Sequence, residues 1–155
     1  MCARISTAPA RPKKDEDQAI GRSRGGLSTK IHALVDALGN PLAFLLTPGQ
    51  THDLVGADTL LPQIAANTLI ADKAFDADAR VREPLAAAGK SAVIPPRPNR
   101  RTPADFDPDL YKARHLIENF FAKLKQFRAI ATRYDKTARN FLAAVHFAAS
   151  LIWLD

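Results

Sequence analysis

The chain has 155 residues and is 46% apolar, which supports one domain with a real core and excludes a disordered chain. Its 22 Lys and Arg against 16 Asp and Glu give a formal charge of +6 and a pI of about 9.8, a balance that favours a polyanion such as nucleic acid but also occurs as a plain solvated surface. Cys2 is the only cysteine, so an intrachain disulfide and a cysteine metal cluster are excluded; there is neither an apolar run of membrane-spanning length nor a signal-peptide centre.

Residues 1–26 have little apolar periodicity, and Pro9, Pro12, Lys13, Lys14 and Asp15 mark them as a flexible basic amino-terminal arm. Arg22 and Arg24, beside Gly25 and Gly26, suit DNA phosphates and a solvated loop about equally. Residues 27–47 read as a hairpin: an alternating strand with Lys30 and His32 on one face, a turn at Gly39-Asn40, and an apolar return through Phe44. His32 is expected to be structural. Thr51 or Asp53 can cap a helix to about Leu61, ended by Pro62; His52 and Asp53 read as helix-start polarity rather than metal ligands.

Residues 67–73 read as a short buried strand, Thr68 to Ala71, followed at once by Asp72, a carboxylate at the carboxyl end of a strand, where sites form in open α/β sheets. Asp76 is the expected cap of a helix over residues 76–89, which Pro84 should kink and Gly89 end. A second short strand, residues 91–94, leads into a proline-stiffened basic loop. Its Arg97, Arg100 and Arg101 match a track of phosphate contacts, against the alternative of an ordinary loop.

Residues 110–130 read as one long helix, with Leu110, Ala113, Ile117, Phe120, Leu124 and Phe127 as its apolar seam. Beside the seam Tyr111, Glu118 and Lys125 recur every two turns, and Arg114 stands one turn before Glu118. On spacing alone, Arg114 and Glu118 could be a surface ion pair worth roughly 0.3 to 0.5 kcal/mol. A polar connector and a last helix over residues 137–154, apolar nearly all round and so buried or laid on a sheet face, complete the chain. The element order implies a mixed α/β fold with the sheet flanked by helices.

The spacing Tyr111-x2-Arg114-x3-Glu118-x6-Lys125 resembles the Y-(2)-R-(3)-E-(6)-K signature of bacterial insertion-sequence transposases with a DDE triad. From about Asp17 onward the chain is similar to the insertion-sequence-five family of that group. The segment LIADKAFD resembles the family's ADKGYD, with Ala74 for glycine and Phe75 for tyrosine. The resemblance implies a ribonuclease-H-like fold over residues 27–155. It also implies catalytic, metal-ligating roles for Asp72 and Glu118, and supporting roles for Tyr111, Arg114 and Lys125. Lys73, Arg22, Arg24 and the loop arginines would meet DNA. The cofactor would be Mg²⁺ or Mn²⁺, two ions in a complete site.

Relatives carry a first catalytic aspartate on a central first strand. Residues 1–5 resemble only the stretch just after it, so the expected sheet lacks that strand and the domain is partial. The implied activity is metal-dependent DNA cleavage and strand transfer on double-stranded transposon ends and target, in the bacterial cytoplasm at the nucleoid, by a homo-oligomer. This chain is expected to be inactive alone, as a truncated or frameshift-split product completed by an upstream polypeptide. The alternative is a non-catalytic DNA-binding fragment that regulates transposition.

Overall fold

The computed structural model describes residues 2–7, 18–102 and 104–154. The chain divides into two compact units, one of residues His52–His115 and the other of Cys2–Thr51 with Leu116–Asp155. The second unit therefore draws on both ends of the chain.

Its sheet begins with β1 (Cys2–Thr7), β2 (Gly21–Ser23), β3 (Gly26–Val35) and β4 (Pro41–Pro48). Strand β3 is the spine. It pairs antiparallel with β1 from Cys2–His32 to Ser6–Ser28, and on its other side with β2 and β4. The β3–β4 turn is built as its sequence requires: Asp36 accepts from the amides of Leu38 (2.8 Å) and Asn40 (2.9 Å), and Gly39 takes a φ of +90°. Both faces of β3 are buried. Ile31 and Ala33 supply the apolar side, while His32 meets the Thr47 hydroxyl at 2.8 Å and the Lys30 ammonium donates to the Thr51 carbonyl. His32 is thus structural, as expected.

Two expectations about the amino-terminal residues are corrected. Cys2–Thr7 and Gly21–Ser23, assigned by sequence to a flexible arm, are paired strands, and Gln18 and Ala19 are buried. Nor is the inner first strand missing. β1 lies between β3 and the two-residue strand at Thr132–Arg133, with which Ser6 and Thr7 pair in parallel. The cause is tertiary: one large aliphatic residue, Ile5, gives no readable alternation, and neighbours on both sides impose the extended backbone. Pro9, Pro12, Lys13, Lys14 and Asp15 lie outside the described residues.

The first unit runs through α1 (Asp53–Leu60), β5 (Thr68–Ile70), α2 (Glu83–Ala87), β6 (Ser91–Val93) and α3 (Pro108–Tyr111). His52, rather than the expected Thr51 or Asp53, caps α1 by accepting from the Leu54 amide at 3.2 Å, a helix-start role. The short strands β5 and β6 are parallel, and Leu54, Ala57, Phe75, Val81, Leu85 and Ile94 form the core against them. Pro84 has a structural explanation. A π-turn at Asp78–Arg82 precedes it, with Arg82 bonded to the Ala77 carbonyl five residues back. The wide turn relieves the clash a proline ring makes with the preceding helical turn.

The backbone stays helical from Pro108 to Leu124: α3, a 3₁₀ turn at Lys112–Arg114, then α4 (His115–Leu124). The single helix expected to residue 130 instead breaks at residues 125–127 and restarts as α5 (Arg128–Ala131). Angular drift explains the break. At roughly 100° per residue, an unbroken helix would carry Ile130 about 120° off the seam. The restart lets Ile130 reach the core, where it is 1% exposed. Phe121, absent from the expected seam, is buried beside Ile117, Phe120 and Leu124.

After β7 (Thr132–Arg133), α6 (Ala138–Leu154) lays Phe141, Val145, Ala148 and Ala149 inward and packs on β4. Phe44 of β4 stacks on Phe120 at 5.8 Å and takes His146 edge-on at 5.1 Å, so α4 and α6 cover one face of this mixed sheet. The outer side of α6 leaves Phe147 and Leu154 exposed. Among the described residues no helix is long and apolar enough to cross a membrane.

Candidate functional site

Asp72 is set by the end of β5. The Ala71 amide still bonds the Val93 carbonyl (3.2 Å), and Asp72 is the first residue beyond, with extended backbone. Its Oδ1 accepts from the Ala74 amide at 2.8 Å, capping a 3₁₀ turn over Lys73–Phe75. Phe75 anchors that turn in the core at 7% exposure, a burial that a phenyl ring suits without a hydroxyl partner. Asp72 itself stays half-buried.

It faces a cleft of about 1030 Å³ within the first unit, lined also by Lys73, Asp76, Arg97, Arg100, Tyr111 and Arg114. Four cations and two carboxylates thus share one concavity. The sequence-derived motif and the strand-end aspartate meet here, since Tyr111 and Arg114 lie far along the chain from Asp72. The Tyr111 ring is held edge-on by Phe106 at 5.7 Å, and the Arg114 guanidinium sits 5.6 Å from its centroid.

The second carboxylate of the cleft behaves differently from the first. Asp76 is 5% exposed and ends the Lys73–Phe75 turn rather than starting the next helix, which corrects its expected role; Ala77 stands at that helix start instead. One oxygen of Asp76 accepts from Arg82 Nε (2.8 Å) and Arg100 Nη1 (2.7 Å), and the other from the Arg97 amide (2.8 Å). Burial alone would push this carboxyl up. The Arg97 amide, then the Arg82 and Arg100 guanidiniums, more than offset it, and its pKa lies below the ordinary carboxylate value.

The loop arginines have intramolecular partners that the sequence does not announce. Arg97 donates to the carbonyls of Lys73 (3.1 Å) and Ala74 (2.7 Å). Arg100 also donates to the Thr102 carbonyl (2.6 Å) and pairs with Asp78, which raises its pKa first of all, ahead of Asp76. Arg101 is exposed on the same loop. In the second unit Arg22 and Arg24 are exposed at and just beyond β2, and Glu118 is exposed in the first turn of α4. Lys125, exposed, keeps a helical bond to the Phe121 carbonyl (3.1 Å) but stands past the end of α4.

A cation-lined cleft with a half-buried carboxylate suits a phosphodiester backbone and a hard divalent ion. The donors fit Mg²⁺ or Mn²⁺ in kind, being carboxylate oxygens. They fall short in number: Asp76 is engaged by arginines through both oxygens, and among the described residues no group of three His, Cys, Asp or Glu is assembled for a metal.

Comparison with known proteins gives one consistent result. The family model described as "Transposase DDE domain" matches residues 4–153. Over 130 residues the chain is 44% identical to a Brucella ovis protein described as "Putative transposase for insertion sequence element IS6501", covering 83% of this chain and 99% of that one. No solved structure matches.

Proposed function

Because this chain belongs to the transposase DDE domain family, we propose that it acts on DNA through metal-dependent cleavage and strand transfer, with Asp72 and Glu118 as its metal-binding carboxylates. One observation carries the reading. Asp72, at the end of a parallel strand, shares a cationic cleft with Tyr111 and Arg114 of the helical motif. In that cleft Lys73 and Arg114 hold phosphate oxygens, and Tyr111, already braced by Phe106, packs on the strand end. Glu118 supplies the second carboxylate, and Lys125, the first residue past α4, holds phosphate or orients Glu118. Arg101, Arg22 and Arg24 add exposed charge for double-stranded DNA. When bound, divalent ions supply activation of the attacking oxygen and stabilisation of the leaving one. We assign a ribonuclease-H-like fold to the whole, supported by an inner first strand antiparallel to β3.

The chain alone does not join DNA ends in this reading. Two carboxylates leave the two-ion clamp one anion short, and Asp76 is committed elsewhere. The missing group comes from an upstream polypeptide or a fused product, and the working species is an oligomer on paired ends in the cytoplasm. The same shortage favours a second reading, a non-catalytic DNA-binding fragment that regulates transposition.

The test uses the purified chain, labelled transposon-end DNA and Mn²⁺. DNA binding should weaken steeply with salt. Mn²⁺ affinity should fall in both Asp72→Asn and Glu118→Gln. Equal Mn²⁺ binding by parent and both variants would remove the site assignment. Efficient joining by the parent would remove the inactivity.

A further inference from the structure

The site reading leaves Asp76 without a task, yet it is the most heavily bonded carboxylate of the cleft. Its two oxygens gather three donors from three places in the chain: Arg82 after the π-turn, the Arg97 amide and the Arg100 guanidinium. Each partner carries the linkage further. Arg82 also donates to the Ile94 carbonyl at 2.7 Å, fixing the end of β6. Arg97 reaches the carbonyls of Lys73 and Ala74, the turn that Asp72 caps. The basic loop is therefore clamped onto the Asp72 turn with Asp76 at the centre of the clamp.

A buried carboxylate held by charged donors is costly to assemble and strongly felt when removed, because partly desolvated arginines then lose the acceptor they share. Nothing in the fold of β5 or α2 alone demands such a group; their packing is apolar. What the network does fix is the spacing between the Asp72 turn and the loop. We infer that Asp76 is a positioning residue: through Arg97 and Arg100 it holds the basic loop against the Asp72 turn and so sets the orientation of the Asp72 carboxylate in the cleft. This rests on the proposed role of Asp72. It also moves Arg97 and Arg100 from phosphate contacts to internal braces, leaving Arg101 as the loop's DNA-facing cation.

The experiment is residue-resolved amide hydrogen exchange on the full chain, parent against Asp76→Asn. The Ala74 amide bonds Asp72 and not Asp76, so its protection reports orientation of the turn rather than direct loss of a bond. It should exchange about tenfold faster in Asp76→Asn, while β3 amides keep parent rates. Mn²⁺ affinity should fall with it, and Asp76→Glu, which keeps the charge, should restore part of both. Should Asp76→Asn fail to fold, Arg100→Gln should speed Ala74 exchange in the same direction. Unchanged Ala74 protection in a folded Asp76→Asn or Arg100→Gln protein overturns the inference. A parent that binds no Mn²⁺ refutes the metal role of Asp72, while Ala74 exchange still judges Asp76.

Discussion

Replacing Arg133 with lysine isolates the value of a buried guanidinium while keeping the charge. Arg133 is 0% exposed. Its Nε donates to the Asp135 carbonyl (3.0 Å), and Nη1 donates to the Gln18 carbonyl (2.9 Å) and the Thr29 hydroxyl (2.7 Å). The plane lies over Phe141, 4.9 Å from its centroid. These acceptors are neutral, and burial lowers the Arg133 pKa, with Asp135 only partly opposing. A lysine ammonium can keep one bond of the three. Losing two bonds at about 1 kcal/mol each, with about 0.5 to 1 kcal/mol of cation–π contact, predicts a loss of about 3 kcal/mol. For a chain of this size that lowers the melting temperature by roughly 6 to 12 °C. Urea unfolding followed by circular dichroism reads the free energy directly. A loss under about 1 kcal/mol would show that the fork geometry contributes little and refute the reasoning.

Two glycines test how close packing differs from mere proximity. A Cβ on Gly49 would collide with the Ser28 hydroxyl and stand 2.9 Å from the Ser28 carbonyl oxygen, so Gly49→Ala should cost about 1 to 3 kcal/mol by thermal melting. At Gly21 the three atoms nearest the added carbon all belong to the amide end of the Gln50 side chain, which can swing away; that variant should stay within about 0.5 kcal/mol of the parent. Asp76 predicts an acid limb. Its folded pKa lies below the ordinary 3.8, so its contribution is fully present above that value and is lost as pH falls through the lower folded value. Acid titration by circular dichroism should show that limb in the parent and a flatter one in Asp76→Asn.

What the sequence made legible was local. The Gly39-Asn40 turn, the strand before Asp72, the SAVI strand and the apolar face of α6 each carry their signal within a few residues. The motif and the strand-end aspartate were each legible as residue patterns, and Tyr111 and Arg114 line the same cleft as Asp72, whereas Glu118 and Lys125 are not among its lining residues. Interactions across long separations were not legible. Residues 2–7 read as an arm because their strand character comes from β3 and Thr132–Arg133. The break at residues 125–127 has neither glycine nor proline to mark it; only the angular position of Ile130 betrays it. The loop arginines looked like a phosphate track because composition counts charges, whereas their Asp76 and Asp78 partners lie more than twenty residues away.

The parallel pairing of β1 with β7 has a consequence for synthesis. Thr7 is made 126 residues before its partner Arg133. At ordinary translation speeds the nascent chain keeps that edge of β1 without its β7 partner for on the order of ten seconds, while the whole of residues 52–115 is made and can begin to fold. Closing so wide a loop makes this ladder a slow contact to form. During that interval the bare edge is a template for strands from other molecules, so crowded expression should favour aggregates seeded at residues 2–7.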